Sequence, residues 1–384
     1  MIKRLAIRVV KELAEQFPAV LILGPRQCGK TTLARNFLRG EYFDLEKPSD
    51  QQVFLGDIEL ALRRMPEPLI IDEAQTLPRL FPVLRALIDE ERRKCGRFYL
   101  LGSVDPALIR NLSESLAGRV GILELTPFLF PETAGLGIDL PGFWVRGGYP
   151  DACLAKTETG WQRWQENYLR TFVERDIPRQ GVRVSPIMIR RLMGMIAHYH
   201  GGLLNASELG RSLGVSYHTA NHYLDLLEGH YLIRRLPPYY ANVGKRIVKS
   251  PKVYLRDSGL LHYLLGVSSE RSLLETPQRG RSWEGFMIEQ LIALELLKFS
   301  AARFYFYRTY AGAEIDLVIE RGELRTGYEF KCALSVTPRD WSNLKAGIAD
   351  GVIDRGVVVY PGERNYPVAG EIEVAPAGEI LRFG

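Results

Sequence analysis

Short apolar runs punctuate the first 140 residues at Ala19 to Leu23, Tyr42-Phe43, Leu69 to Ile71, Phe98 to Leu101 and Gly121 to Leu125. Helical patterns such as Leu80 to Glu91 lie between them, and this alternation predicts an α/β domain with a mostly parallel sheet. The opening stretch, MIKRLAIRVVKELAEQF, carries charges through its apolar stripe and reads as an amphipathic helix, not a signal peptide. Further on the period becomes helical. Trp161 to Val173 reads as one helix, and a short helix from Ala206, a turn at Gly214 and a second helix from Tyr217 to Glu228 follow. Leu213, Val215, Ala220, Leu224 and Leu227 supply the stripe to be buried. Strands are expected at Tyr231 to Leu236 and Lys252 to Leu255, then at Ala313 to Ile319 and Thr326 to Cys332 around a turn at Arg321-Gly322-Glu323, with a helix beginning near Trp283.

The first strand runs into GPRQCGKTT, residues Gly24, Pro25, Arg26, Gln27, Cys28, Gly29, Lys30, Thr31 and Thr32. Gly, four residues, then Gly-Lys-Thr between a strand and a helix start is a phosphate-binding loop. The glycines let successive N–H groups face phosphate oxygens, and the helix adds its positive end. Lys30 is placed to reach the β- and γ-phosphates, and the Thr31 hydroxyl to ligate Mg²⁺, so ATP and Mg²⁺ are the expected ligands. The run Leu69 to Ile71 ends in Asp72-Glu73, a carboxylate for the metal shell followed by one that can orient the attacking water. A strand over Glu41 to Leu45 lies between the phosphate-loop strand and this one. That insertion, with Glu after Asp, resembles the additional-strand class of P-loop ATPases.

GPRQCGKTTLA, YFDLE, PLIIDEAQ, LLGS and SLAGRV, in that order, resemble the large prokaryotic family of AAA-type ATPases with a poorly characterised C-terminal region. GGYPD at Gly147 to Asp151, YLRTFVERDIP at Tyr168 to Pro178 and SPKVYLRDSG at Ser250 to Gly259 extend the similarity over nearly the whole chain. The resemblance implies two further site residues. Ser103 stands where such ATPases sense the γ-phosphate, although it equally suits a turn cap. Arg119 would serve a neighbouring subunit's nucleotide as a finger, or play a structural part in its own. The finger reading implies a homo-oligomer, a hexameric ring being the expected form.

At 384 residues the chain is expected to hold several domains: the ATPase at 1–140, a helical lid and linker at 141–180, a winged helix at 181–270 and a smaller α/β domain at 271–384. Net charge is only +5, yet residues 163 to 256 carry 15 Lys/Arg against 6 Asp/Glu. A basic middle suits nucleic acid, though a solvated basic face looks the same. The helix-turn-helix punctuation leaves Tyr217, His218 and Asn221 outward at the start of a recognition-type helix. The strand pair after it makes a wing whose loop holds Lys245, Arg246 and Lys249, suited to phosphate, so DNA is the expected partner; winged helices also grip proteins. His218, His222 and His230 lack acidic or cysteine neighbours at ligand spacing, and the four cysteines lie far apart, which fits a reducing, cytoplasmic setting. No apolar stretch approaches the roughly 18 residues of a membrane span.

In GAEIDLVIERGELRTGYEFKCA, strand alternation puts Glu314 with Asp316 on one face and Glu329 with Lys331 on one face. Acids facing a Glu-x-Lys strand can bind Mg²⁺ and activate water for phosphodiester cleavage. The arrangement resembles PD-(D/E)XK nucleases, including resolvases of branched DNA, except that Ile315 and not proline precedes Asp316. The resemblance implies Asp316, Glu329 and Glu284 as metal ligands and Lys331 as the catalytic ammonium, or else a fold kept as a binding platform. The whole is expected to bind and remodel DNA, branched forms included, in a helicase-like or translocase-like manner. A nucleotide-dependent switch on a protein partner and an ATP-gated nuclease are the alternatives.

Overall fold

The computed structural model describes residues 2–103, 116–179, 184–240 and 247–383. The chain divides into two compact units: Met1–Phe128 with Gly229–Tyr231, and Leu129–Glu228 with Leu232–Gly384.

Unit 1 is a parallel five-stranded sheet of β1 (Ala19–Gly24), β2 (Glu41–Asp44), β3 (Leu69–Asp72), β4 (Phe98–Ser103) and β5 (Val120–Glu124), ordered β2-β3-β4-β1-β5. All six β1 residues are buried, as a central parallel strand requires. The expected inserted strand separates β1 from β3 only along the chain. In the sheet β2 is the edge, and β4 intervenes between β1 and β3. Burial explains the order, because β2 exposes Glu41, whereas Phe98, Leu100 and Leu101 are buried. Helices flank the sheet, among them Ala6–Gln16, Lys30–Phe37 and Leu80–Glu90, and Leu84, Leu87 and Ile88 join Leu21, Ile71 and Leu100 in one core.

Unit 2 begins with helices that include Leu140–Arg146, Glu158–Thr171, Pro186–Tyr199, Ala206–Leu213 and Tyr217–Gly229. A small antiparallel sheet follows, β6 (Gly202–Leu203), β7 (Ile233–Leu236) and β8 (Lys252–Leu255), with β8 central. The helix from Tyr217 buries Ala220, Leu224 and Leu227 as expected and also Tyr223 and Leu226, while Val215 is only half-buried. GGYPD and RDSG meet here. The Asp257 carboxylate accepts Gly148 N at 2.8 Å and caps the helix Ser258–Leu264 through Leu260 N at 2.8 Å, so these two motifs build a packing joint.

Beyond the long helix Arg279–Leu296 lies a six-stranded mixed sheet of β9 (Arg303–Arg308), β10 (Glu314–Arg321), β11 (Leu324–Phe330), β12 (Arg355–Tyr360), β13 (Tyr366–Ala369) and β14 (Ile372–Pro376), ordered β13-β14-β12-β11-β10-β9. The β10–β11 hairpin is antiparallel, and the helix Ser342–Ala349 makes the crossover that lets β12 run parallel to β11. The chain after β7 is zipped onto β9: Tyr239 N donates to Phe306 O at 2.7 Å and Val248 N to Arg308 O at 3.0 Å.

Part of the basic excess of the middle segment is neutralised internally. Arg234 and Arg256 clamp the buried Glu289, Arg235 pairs with Asp225 and Glu228, Arg190 with Glu166, and Lys252 with Glu284 and Glu314. Several of these acids lie outside the counted segment, which is why charge counting overstated the basic surface. Arg163, Arg191, Arg211 and Lys249 are exposed and make no ion pair among the described residues.

Candidate functional site

The parallel order brings the C-terminal ends of β1, β3 and β4 to one edge of the unit 1 sheet, where ligands of open α/β sheets bind. Gly24 ends β1 so close to its neighbour that a Cβ there would lie 2.2 Å from Leu125 O. Gly29 holds φ at 100°, open to glycine at little cost, and delivers the chain into the helix Lys30–Phe37. Within the loop Pro25 and Cys28 are buried, Gln27 is exposed at φ 60°, and Arg26 pairs with Glu46 at 3.8 Å. The buried Lys30 donates from Nζ to Gly24 O and Pro25 O, each at 2.9 Å.

Thr31 Oγ1 donates to Asp72 Oδ2 at 2.6 Å, joining the helix start to the end of β3. Thr32 is exposed one residue on. Asp72 is buried and its Oδ1 accepts Glu73 N at 3.0 Å. Glu73 occupies the left-handed region at φ 52°, an uncommon place for its residue type, and its carboxylate accepts from Gln75 Nε2. Ser103 ends β4 in register with Gly24, beside the loop. Lys30, Thr31, Asp72, Glu73 and Ser103, far apart in sequence, therefore share one edge.

Arg119 lies at the other edge. Its carbonyl accepts Ala19 N at 3.2 Å, at the start of β1, about 16 Å of strand from the loop. Its guanidinium forks onto Asp89 at 2.6 and 2.8 Å, and that pairing holds the Asp89 carboxyl below its usual range.

Two contributors were given no role by the sequence. Tyr42 OH donates to Asp72 Oδ2 at 2.6 Å, and its phenol is pushed up by burial and then by that carboxylate. Arg4, 5% exposed, donates to Cys28 O at 2.9 Å and to Thr126 O and Pro127 O at 2.6 and 3.1 Å, bracing the loop from behind. Tyr42 stood in the expected β2. Arg4 was one charge of an amphipathic helix, with nothing to mark it.

In unit 2, Tyr217 and His218 are exposed at the start of their helix, and Asn221 turns its amide back onto Tyr217 O at 3.2 Å. Lys249 is exposed; Lys245 and Arg246 lie outside the described residues. The acids of the C-terminal region converge as expected, but with a lysine among them. Lys252 Nζ, from β8, lies 2.8 Å from Glu284 Oε1, 2.5 Å from Glu314 Oε1 and 4.0 Å from Asp316 Oδ1. Tyr254, on the same face of β8, donates to Glu284 Oε1 at 2.6 Å. Asp316 Oδ2 accepts Phe330 N at 3.0 Å, and Lys331 donates to Glu329 Oε2 at 3.2 Å.

Burial, reinforced by Glu284, pushes the Asp316 carboxyl up to about 7. Burial and then Asp316 raise Glu329 well above the usual carboxylate range. Burial opposes charge on Lys252, but Glu284 and the neighbouring acids outweigh it and raise the pKa. Among the described residues no group of three or more His, Cys, Asp or Glu side chains could hold a metal ion. The expected ligand set of Glu284, Asp316 and Glu329 thus does not fit a metal as arranged. The reason is physical: the Lys252 ammonium lies against two of the three, 2.8 Å from Glu284 Oε1 and 4.0 Å from Asp316 Oδ1.

A family model described as an AAA domain matches residues 16–134, and two described as domains of unknown function, DUF8612 and DUF4143, match 138–271 and 279–380. The sheet order, the loop and this match together define an AAA-type P-loop ATPase domain. The chain belongs to the family of the uncharacterized protein Rv2008c of Mycobacterium tuberculosis, to which it is 40% identical over 387 residues, covering 100% of this chain and 85% of that protein. The uncharacterized protein Mb2031c of Mycobacterium bovis matches to the same extent.

Among solved structures, the Aeropyrum pernix ORC1 protein in complex with DNA is 14% identical, with 69% of this chain and 93% of that chain covered, at a TM-score of 0.27. The Bacillus subtilis DNA clamp loader delta protein is 13% identical, with coverage of 76% and 99%, at a TM-score of 0.28. Among the described residues no helix is long and apolar enough to cross a membrane.

Proposed function

We propose that the chain is an ATP-hydrolysing AAA-type protein that binds and remodels DNA, branched forms included, with unit 2 supplying the contact. The observation that carries the ATPase reading is the Thr31–Asp72 contact at 2.6 Å beside the buried Lys30. In this reading the loop N–H groups and Lys30 offset phosphate charge, and Thr31 and Asp72 hold Mg²⁺, which would neutralise further charge on the phosphates. Glu73 orients the attacking water, with Gln75 fixing its carboxylate. Ser103 reads the γ-phosphate. Arg119, released from Asp89, serves the adjoining subunit of a homo-oligomeric, hexameric ring.

DNA contact is assigned to a winged helix at 181–270. Tyr217, His218 and Asn221 lead its second helix, and Lys245, Arg246 and Lys249 are the proposed phosphate contacts. The exposed, unpaired Arg191, Arg211 and Lys249 favour phosphate as the contact. The C-terminal region is read as a nuclease-like fold kept as a platform. A second reading, a nucleotide-dependent switch gripping a protein, gains from the internal neutralisation of Arg234, Arg235, Arg256 and Lys252.

Fluorescence anisotropy with labelled duplex and four-way-junction DNA decides between them. Replacing Lys245, Arg246 and Lys249 by Ala should weaken binding and reduce the salt slope by roughly 0.9 for each phosphate the wing no longer neutralises. Unchanged affinity and slope would remove DNA from the wing and leave the switch.

A further inference from the structure

Lys252 is the first residue of β8, and its side chain is 2% exposed. So deep a lysine survives only with its charge met, because removing an ammonium from water costs several kcal/mol. The acids that meet it come from elements far along the chain: Glu284 from the helix Arg279–Leu296, and Glu314 and Asp316 from β10. The Phe306 ring lies under the ammonium at 5.6 Å. Tyr254 adds a second hydrogen bond from β8 to Glu284.

These contacts place a cation against both Glu284 and Asp316, the carboxylates that a bridging divalent ion would share. The two cannot coexist, since two cations within about 4 Å repel strongly in a buried setting. Glu329 is 5% exposed; its Oε2 accepts from Lys331 at 3.2 Å, and its Oε1 has no hydrogen-bond partner among the described residues.

We propose that Lys252 is a built-in cation that replaces the metal of this carboxylate cluster, so that the C-terminal region takes no divalent ion and instead docks on β8 through it. The disagreement between the acids, which look like metal ligands, and the lysine among them is thereby resolved. Lys331 keeps its own partners, Glu329 and Asp340, and does not substitute for Lys252. Without the Lys252 ammonium, Glu284, Glu314, Asp316 and Glu329 would keep, among the described residues, Lys331 beside Glu329 and Arg308 beside Glu314, and the remaining carboxylate oxygens are a donor set that hard divalent cations favour.

The test is Mn²⁺ binding to the nucleotide-free full chain, followed by electron paramagnetic resonance of free Mn²⁺. Wild type is expected to show no Mn²⁺ site that Asp316→Asn removes. Lys252→Met should gain one Mn²⁺ per chain, at least about tenfold tighter than anything in wild type, and Lys252→Met combined with Asp316→Asn should lose it. If Lys252→Met does not fold, Lys252→Met with Glu314→Gln removes one charge of each sign and should show the same gain. A wild-type Mn²⁺ site abolished by Asp316→Asn would overturn the proposal, whether or not the variants fold. So would a folded Lys252 variant that gains no site.

Discussion

Replacing Arg4 with Met keeps the aliphatic stem but removes the guanidinium that ties the phosphate loop to the chain after β5. Three carbonyls, those of Cys28, Thr126 and Pro127, lose their donor, and the Phe128 ring loses a cation 5.1 Å from its centroid. Hydrogen bonds from a charged donor contribute about 1.5–3 kcal/mol each, but water can reach the partly buried pair at Thr126 and Pro127. The contact to Cys28 is buried and cannot be replaced so easily. Allowing for non-additivity, unit 1 should lose about 3–5 kcal/mol.

Part of that loss should appear as loop disorder. If the binding-competent loop falls to about a tenth of the population, ATP affinity falls about tenfold. Urea unfolding and titration with a fluorescent ATP analogue read the two effects separately. Arg8→Ala is the control, because among the described residues Arg8 pairs only with Glu12, at the surface of the helix Ala6–Gln16. An Arg4→Met protein with wild-type stability and ATP affinity would refute the bracing role.

Glu73→Gln should still bind ATP but release phosphate at least about a hundredfold more slowly, since the amide keeps the shape and loses the basic oxygen; the parent rate would remove Glu73 from the water-orienting role. Glu289→Gln leaves Arg234 and Arg256 without their shared charge and should destabilise unit 2 by about 3 kcal/mol in urea unfolding, with an unchanged midpoint counting against the clamp. His262, buried between Val145 O and Ser282 Oγ, has its pKa lowered by burial to about 4. Its folded pKa lies below the unfolded value, so its contribution is intact above about 6.5 and is lost as pH falls toward 4. His262→Gln should therefore lose less stability than wild type between pH 7 and 4, by up to about 3 kcal/mol, as read by urea unfolding at both pH values.

The phosphate loop was legible because its chemistry is local: Gly24, Gly29, Lys30 and Thr31 are contiguous, and the helix that follows starts where the motif requires. Asp72 and Glu73 were legible for the same reason, as acids closing an apolar run. What the pattern did not convey was sheet order, since the alternation of strands and helices leaves open which strand neighbours which, although the acids of β2 (EYFD) against the uncharged β4 (FYLLGS) agree with an edge and a central place. Arg4 and Tyr42 were missed because their partners, three carbonyls for Arg4 and Asp72 for Tyr42, are brought to them only by the fold. Lys252 was missed for a stronger reason. It lies in a segment whose positive charge looked like a surface, and its partners Glu284 and Glu314 are brought to it only by the packing of β8 against the long helix and β10. The basic excess suggested an external polyanion, yet part of it was answered by internal carboxylates.

ATP turnover by the full chain, measured without DNA and with single-stranded, duplex and four-way-junction DNA, tests the central claim most directly. Turnover is expected to require Lys30, to vanish in Lys30→Ala, and to rise with at least one form of DNA. Turnover that survives Lys30→Ala would contradict the site, and turnover indifferent to every form of DNA would contradict its coupling to DNA.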